Sequence, residues 1–203
     1  MRRLAALVPA SLSAEQRALY DAILGGPRGP GFTAEDGHLA GPFNAMLHNP
    51  VIGAPLARLG EALRYEGLLP ARGRELAILT VAAAYRSEFE WYAHVSIAEG
   101  LGVTTEALAA VRRGERPALD DEAEQAIVDV ARALLDHADL DDDTYARAAR
   151  VIGEAELVEL TTLVGYYGIL ATQLRLFRVP LPPGATPAFA GPPAARARAQ
   201  PSR

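Results

Sequence analysis

An all-α fold is predicted for this 203-residue chain, and three observations predict it. Apolar residues recur three and four positions apart along most of the length, which gathers them on one face of a helix. Segments with that period open on Ser, Thr or Asp and close on Gly or Pro, the residues that cap and stop helices. No stretch alternates apolar and polar residues between turn signals, as a half-buried strand would.

The elements follow in order. Ser13-Ala14-Glu15-Gln16 has the form of a capping box, so a helix is predicted over 14–24, with Leu19, Tyr20 and Ile23 as its apolar face. Gly25 to Gly41 is rich in Gly and Pro and reads as loop. A short helical turn is expected at 43–47, before Asn49-Pro50. A helix over 54–64 follows, with Pro55 in its first turn and Leu56, Leu59 and Leu63 as its stripe. Two helices, 71–85 and 88–99, make up the stretch around which the chain is organised. Thr104 or Thr105 caps a short helix ending near Gly114. Asp120-Asp121 opens a long one, Asp141-Asp142-Asp143 caps 144–151, and a last helix runs from Glu154 to about Phe177.

Residues 1–40 thus form an N-terminal helix and loop, and 41–178 a helical domain. Residues 179–203 hold seven prolines and no periodic apolar face. Such a segment cannot bury enough surface to offset its ordering entropy, so it is expected to be disordered or to lie as an arm on a neighbouring subunit.

Composition excludes several classes of function. Half the residues are hydrophobic, enough for one domain with a substantial core. There is no run of apolar residues long enough to span a membrane, and the apolar part of the opening Met1–Ala10 is cut short by Pro9. A cytoplasmic protein is expected. The sequence contains no cysteine, which removes disulfides and thiol redox chemistry. It also contains no lysine, so Schiff-base chemistry has no anchor. A net charge of −5 without a basic cluster in the helical part argues against a nucleic-acid partner.

The candidate chemistry sits in Arg72–Gly102. Glu75 is one acid near the start of a strongly apolar helix, and an ion pair with Arg72 or Arg74 is its plainest role. Glu90 and His94 lie one helical turn apart on one face. Together the three could move protons. Ser87-Glu88-Phe89-Glu90 can equally be a capping box, which would occupy Ser87 and Glu90 in holding a helix start. His94 alone could be a hydrogen-bonded core histidine, raised in interest by Trp91 and Tyr92 beside it. Tyr166-Tyr167-Gly168 puts two aromatics and a permissive glycine in the last helix.

Arg74-Glu75-Leu76-Ala77-Ile78-Leu79, Glu88-Phe89-Glu90-Trp91-Tyr92-Ala93-His94 and Gly100-Leu101 resemble the carboxymuconolactone decarboxylase family, related to the alkyl hydroperoxidase D-like (AhpD-like) proteins. The run from Gly41 to Pro50 and the phrase Gly60-Glu61-Ala62-Leu63-Arg64-Tyr65 resemble its longer members, so the likeness spans about Gly41 to Arg178. It implies an AhpD-like helical bundle. Glu75 would match the proton-relay glutamate and His94 its partner. The positions of the cysteine pair in peroxidase relatives would be Ser87 and Glu90, so the scaffold would lack that redox chemistry.

The implied activity is cofactor-independent decarboxylation, or a related isomerisation, of a small unsaturated carboxylated lactone or keto acid. Glu75, Glu90 and His94 would be catalytic, without a metal. Asn44, His48, Arg72, Arg74, Arg86, Ser87, Trp91 and Tyr167 would contact substrate, one of the arginines holding a carboxylate. Trimers or hexamers are implied as well. The alternatives are a non-catalytic binding module and a metal-dependent hydrolase with ligands from Glu75, Glu90, His94 and His48.

Overall fold

The computed structural model describes residues 2–189. In chain order the helices are α1 (Ala14–Gly25), α2 (Phe43–His48), α3 (Pro50–Glu61), α4 (Ala71–Tyr85), α5 (Glu88–Gly100), α6 (Thr105–Arg112), α7 (Glu122–His137), α8 (Asp142–Val151) and α9 (Glu154–Leu176). Among the described residues the only β-type pairing is an isolated bridge between Thr33 and Leu39. The chain is all-α.

Helix α4 is the axis of the molecule and packs against α5, α7 and α9. Gly73 and every residue from Glu75 to Ala82 are buried, as befits a helix that is apolar on all sides. Its two faces belong to different parts of the core. Ala77, Ile78 and Val81 join Phe43, Leu63, Ile127, Leu160 and Tyr166. Leu76, Leu79 and Ala82 join Trp91, Ala98, Leu108 and Val128. Gly73 lets Ile127 of α7 come close, where a β-carbon would meet the isoleucine methyl.

Several predicted boundaries coincide with observed caps. Ser13 and Gln16 form both bonds of the capping box. The Thr104 hydroxyl accepts from the Ala107 N–H at 3.2 Å. Asp121 accepts from the N–H groups of Ala123 and Glu124, and Asp141 from that of Thr144.

Helix α3 departs from expectation. It begins at Pro50 rather than Ala54, so Pro50 takes the first-turn place and Pro55 falls inside the helix. Pro55 cannot bond the carbonyl of Val51, but both residues are on the exposed side, where water can serve that carbonyl. Its buried face is also different: Gly53, Ala57 and Gly60 point inward, whereas Leu59 is 39% exposed. Small residues, not leucines, let α3 lie close against the Met46 backbone and Tyr166. After Glu61 the chain continues as one π-helical stretch, Ala62–Glu66.

The N-terminal segment is pinned to the bundle. Asn44 accepts from the Leu7 N–H and donates to the Ala5 carbonyl, both at 2.9 Å. His48 Nε2 lies 3.0 Å from that same carbonyl. After Arg178 the chain runs back along its own subunit. The N–H groups of Ala188 and Phe189 donate to the Glu88 carboxylate at 2.6 and 3.0 Å, and the Phe189 ring meets Trp91 edge-on at 5.5 Å. The part of the expected disordered tail or inter-subunit arm that is described, residues 179–189, therefore has a packing site on this chain. Its remainder, 190–203, lies outside the described residues.

Candidate active site

Helices α4 and α5 form a tight antiparallel pair, joined by Arg86 and Ser87. Arg86 closes α4 in the left-handed region at φ 52°. The reversal brings Glu75, in the first turns of α4, beside His94, in the middle of α5. His94 Nδ1 and Glu75 Oε2 are 2.6 Å apart, and the two residues are 7% and 1% exposed. The carboxylate fixes the ring and assigns Nδ1 to the bond, which leaves Nε2 as the nitrogen free to exchange a proton.

Two further elements complete the surroundings. The π-helical turn after α3 presents Arg64, whose Nη1 lies 3.9 Å from the other Glu75 oxygen. Single π turns of this kind recur where a side chain must be re-aimed. Burial works against the charge of Arg64, but Tyr167, Glu75 and Tyr65 outweigh it, and the guanidinium is held charged more firmly than usual. From α9, Tyr167 sets its ring edge-on to His94 at 5.4 Å, with Tyr166 beside it at 5.2 Å. Burial pushes the Tyr166 hydroxyl up to about 12 and that of Tyr167 higher still, so both are neutral donors.

These groups border a small cavity of about 80 Å³, walled by Arg28, Phe32, Phe43, Phe89 and Ile97 besides Arg64, Glu90, His94, Tyr166 and Tyr167. Phe32, Phe89 and Ala93 also border a much larger open cleft, about 1280 Å³, whose far side is formed by Arg2, His38 and Pro180–Pro183. Arg28 is tied to Glu61 at 3.1 Å and stacks over Phe43. Gly60 has its own role here, because a β-carbon there would overlap the Tyr166 hydroxyl and crowd Arg28.

Glu90 is 3% exposed and lines the cavity. The capping box expected at this helix start is not formed: Ser87 is the N-cap residue, yet its side chain caps nothing. Ser87 Oγ and both Glu90 oxygens are buried without a hydrogen-bond partner among the described residues. Burial pushes the Glu90 carboxyl well above its ordinary value, opposed only by a loose approach of the Ser87 hydroxyl.

Of the residues singled out from sequence, Glu75, Glu90, His94 and Tyr167 come together. Glu90, His94 and Tyr167 line the cavity, with Glu75 behind His94, and the others do not. Arg72 pairs with Glu124 at 3.5 Å, Arg74 is not among the lining residues, and Arg86 stacks on Phe189. The arginines at the cavity are Arg28 and Arg64. Asn44 and His48 hold the N-terminal segment, and Trp91 belongs to the core beneath Phe189. Gly168 lies against the Tyr85 hydroxyl rather than a ligand. His48 is turned to the Ala5 carbonyl, and no group of three or more candidate metal ligands occurs among the described residues. Arg64 lies in the phrase Gly60–Tyr65 that carries part of the resemblance, and that was its available signal. Arg28 lies in a Gly/Pro-rich loop that offered none.

Residues 50–133 match the model of the carboxymuconolactone decarboxylase family. Among curated proteins no sequence matches this one. The fold is similar to that of solved AhpD-like structures. One, an alkylhydroperoxidase AhpD core described as an uncharacterized peroxidase-related protein from Ralstonia eutropha JMP134, superposes with a TM-score of 0.70 at 12% identity, covering 90% of this chain and 93% of that one. A protein of unknown function from Agrobacterium tumefaciens gives 0.61 at 18%, covering 70% and 98%. A cysteine-to-alanine variant of the debrominase Bmp8, in complex with 2,3,4-tribromopyrrole, gives 0.64 at 16%, covering 88% and 90%. The resemblance read from the sequence therefore holds: residues 50–133 match the carboxymuconolactone decarboxylase family model, the fold is AhpD-like, and the sequence has no cysteine.

Proposed function

We propose that this chain is an enzyme that moves a proton to or from a carbon of a small unsaturated carboxylic acid, with decarboxylation of a carboxylated lactone or keto acid as the reaction. The observation that carries the reading is the buried Glu75–His94 pair, 2.6 Å apart, in which His94 lines a small cavity that Arg64 also lines. An imidazole oriented by a carboxylate is the common device for proton transfer, and an arginine supplies the contact a carboxylate requires.

The chemistry balances without a bound group when the substrate carries its own electron sink. Arg64 holds the substrate carboxylate. The bond from ring carbon to that carboxyl breaks, carbon dioxide leaves, and the electron pair passes into the adjacent carbonyl as a dienolate. His94, protonated at Nε2, gives its proton to carbon; Glu75 balances the ring's charge beforehand, and solvent restores the proton afterwards. The family match and the absence of thiols support this over peroxide reduction, whatever the peroxidase-related neighbours do. The tribromopyrrole bound by the debrominase gives the same fold a precedent for small planar ring ligands.

The test is carbon dioxide release from carboxymuconolactone and a panel of β-keto acids, with Glu75→Gln and His94→Ala alongside. Wild-type turnover that falls by about 10²–10⁴-fold in His94→Ala is the expected result. Tight binding without turnover by the folded wild type would replace the enzyme with a binding module.

A further inference from the structure

We propose that Glu90 donates a carboxyl O–H to the oxygen on which negative charge collects as the substrate becomes an enolate, which makes it an oxyanion donor rather than a proton relay. The inference rests on the proton-transfer reading of His94 and names the group that stabilises what His94 creates.

Geometry is the basis. Glu90 sits one turn before His94 on the same face of α5, and both line the same cavity. Its two oxygens are buried and unpartnered, as is Ser87 Oγ beside them. A buried polar group without a partner costs free energy, and a buried unpaired charge costs far more. The capping bond that could have accounted for Glu90 is absent. What is left is a carboxyl group at the cavity wall with only the Ser87 hydroxyl near it and room for a ligand oxygen.

The charged and titratable groups around it fix the type of bond. Arg28, ahead of α2, is held by Glu61, and Arg64 from the π turn faces Glu75. Glu75 on α4 and His94 on α5 hold each other, and Tyr166 and Tyr167 on α9 are neutral hydroxyls. No cation pairs with Glu90 among the described residues, and burial favours its neutral carboxyl. A neutral carboxyl has one strong donor to offer, and an anionic oxygen is the acceptor that gains most from it. A relay would need a hydrogen bond onward from Glu90, and neither of its oxygens has one among the described residues.

The experiment uses binding alone. A series of nitrophenols, read by phenolate absorbance and corrected for free ionisation, is titrated into the wild type, Glu90→Gln and Glu90→Ala. Wild type is expected to select the phenolate, and affinity to fall about 10–100-fold in Glu90→Ala, the range of a hydrogen bond to a charged group. Glu90→Gln keeps an N–H donor and recovers part of the loss. Wild-type affinity drops as pH rises through the ionisation of Glu90, and that part of the drop is missing from Glu90→Gln. Equal affinities in all three, or the same pH dependence in the wild type and Glu90→Gln, would overturn the proposal. Because no turnover is read, that result is separate from whether the lactone is decarboxylated. Circular dichroism melts of each variant show that it is folded.

Discussion

At Glu90 the same buried proton governs stability. Its folded value lies well above the ordinary 4.5, chiefly through burial. Below about 4.5 both folded and unfolded chains hold the proton and the group is silent. Above it, unfolding releases a proton that the folded chain keeps, so stability falls as pH rises until the folded group itself ionises. Glu90→Gln has no such proton, and urea unfolding from about pH 5 to pH 8 should show a flatter pH dependence than the wild type. An unchanged slope would place the pH dependence elsewhere. Glu75, His94 and Glu90 were legible in the sequence because acids and a histidine stand out against apolar helices. Their bond pattern was not: Ser-x-x-Glu at a helix start reads as a cap, and only the folded chain leaves Ser87 and Glu90 uncapped. Arg64 and Arg28 were missed as cavity residues because arginine takes every place that lysine might share in this chain, so its presence marks nothing by itself.

At the scale of elements, α3 and α9 make the sharpest contrast. Gly60→Ala pushes a β-carbon into Tyr166 and Arg28, and overpacking of this kind costs about 1–3 kcal/mol. Gly165→Ala in α9 meets nothing within 4 Å at an exposed mid-helix position and should stabilise by about 0.5–1 kcal/mol. Thermal or urea unfolding of the two variants checks both signs, and similar values for them would contradict the close α3–α9 contact. Most helix limits were readable because Ser13, Thr104, Asp121 and Asp141 act locally. The start of α3 was not, since two prolines five residues apart offer two first turns and tertiary packing chooses between them. The glycine face of α3 was equally hidden, because hydrophobic periodicity ignores residues without side chains.

For the molecule as a whole, the closing segment can be followed through Trp91, the sole tryptophan. Phe189→Ala removes its edge contact, so the emission maximum should move to longer wavelength and stability should drop by about 1–3 kcal/mol. An unmoved maximum would mean that the segment does not rest there. All-α architecture was legible throughout, but the docking of 188–189 on Glu88 was not, because proline-rich sequence carries no period to announce a partner. The hairpin of α4 and α5 has a wider consequence. Glu75 and His94 are only nineteen positions apart and meet inside that one hairpin, whereas Arg28, Arg64 and Tyr167 arrive from three other places in the chain. The pair proposed to move protons thus comes from one continuous segment, whereas the rest of the cavity wall is gathered from separate ones and can be altered without touching that pair.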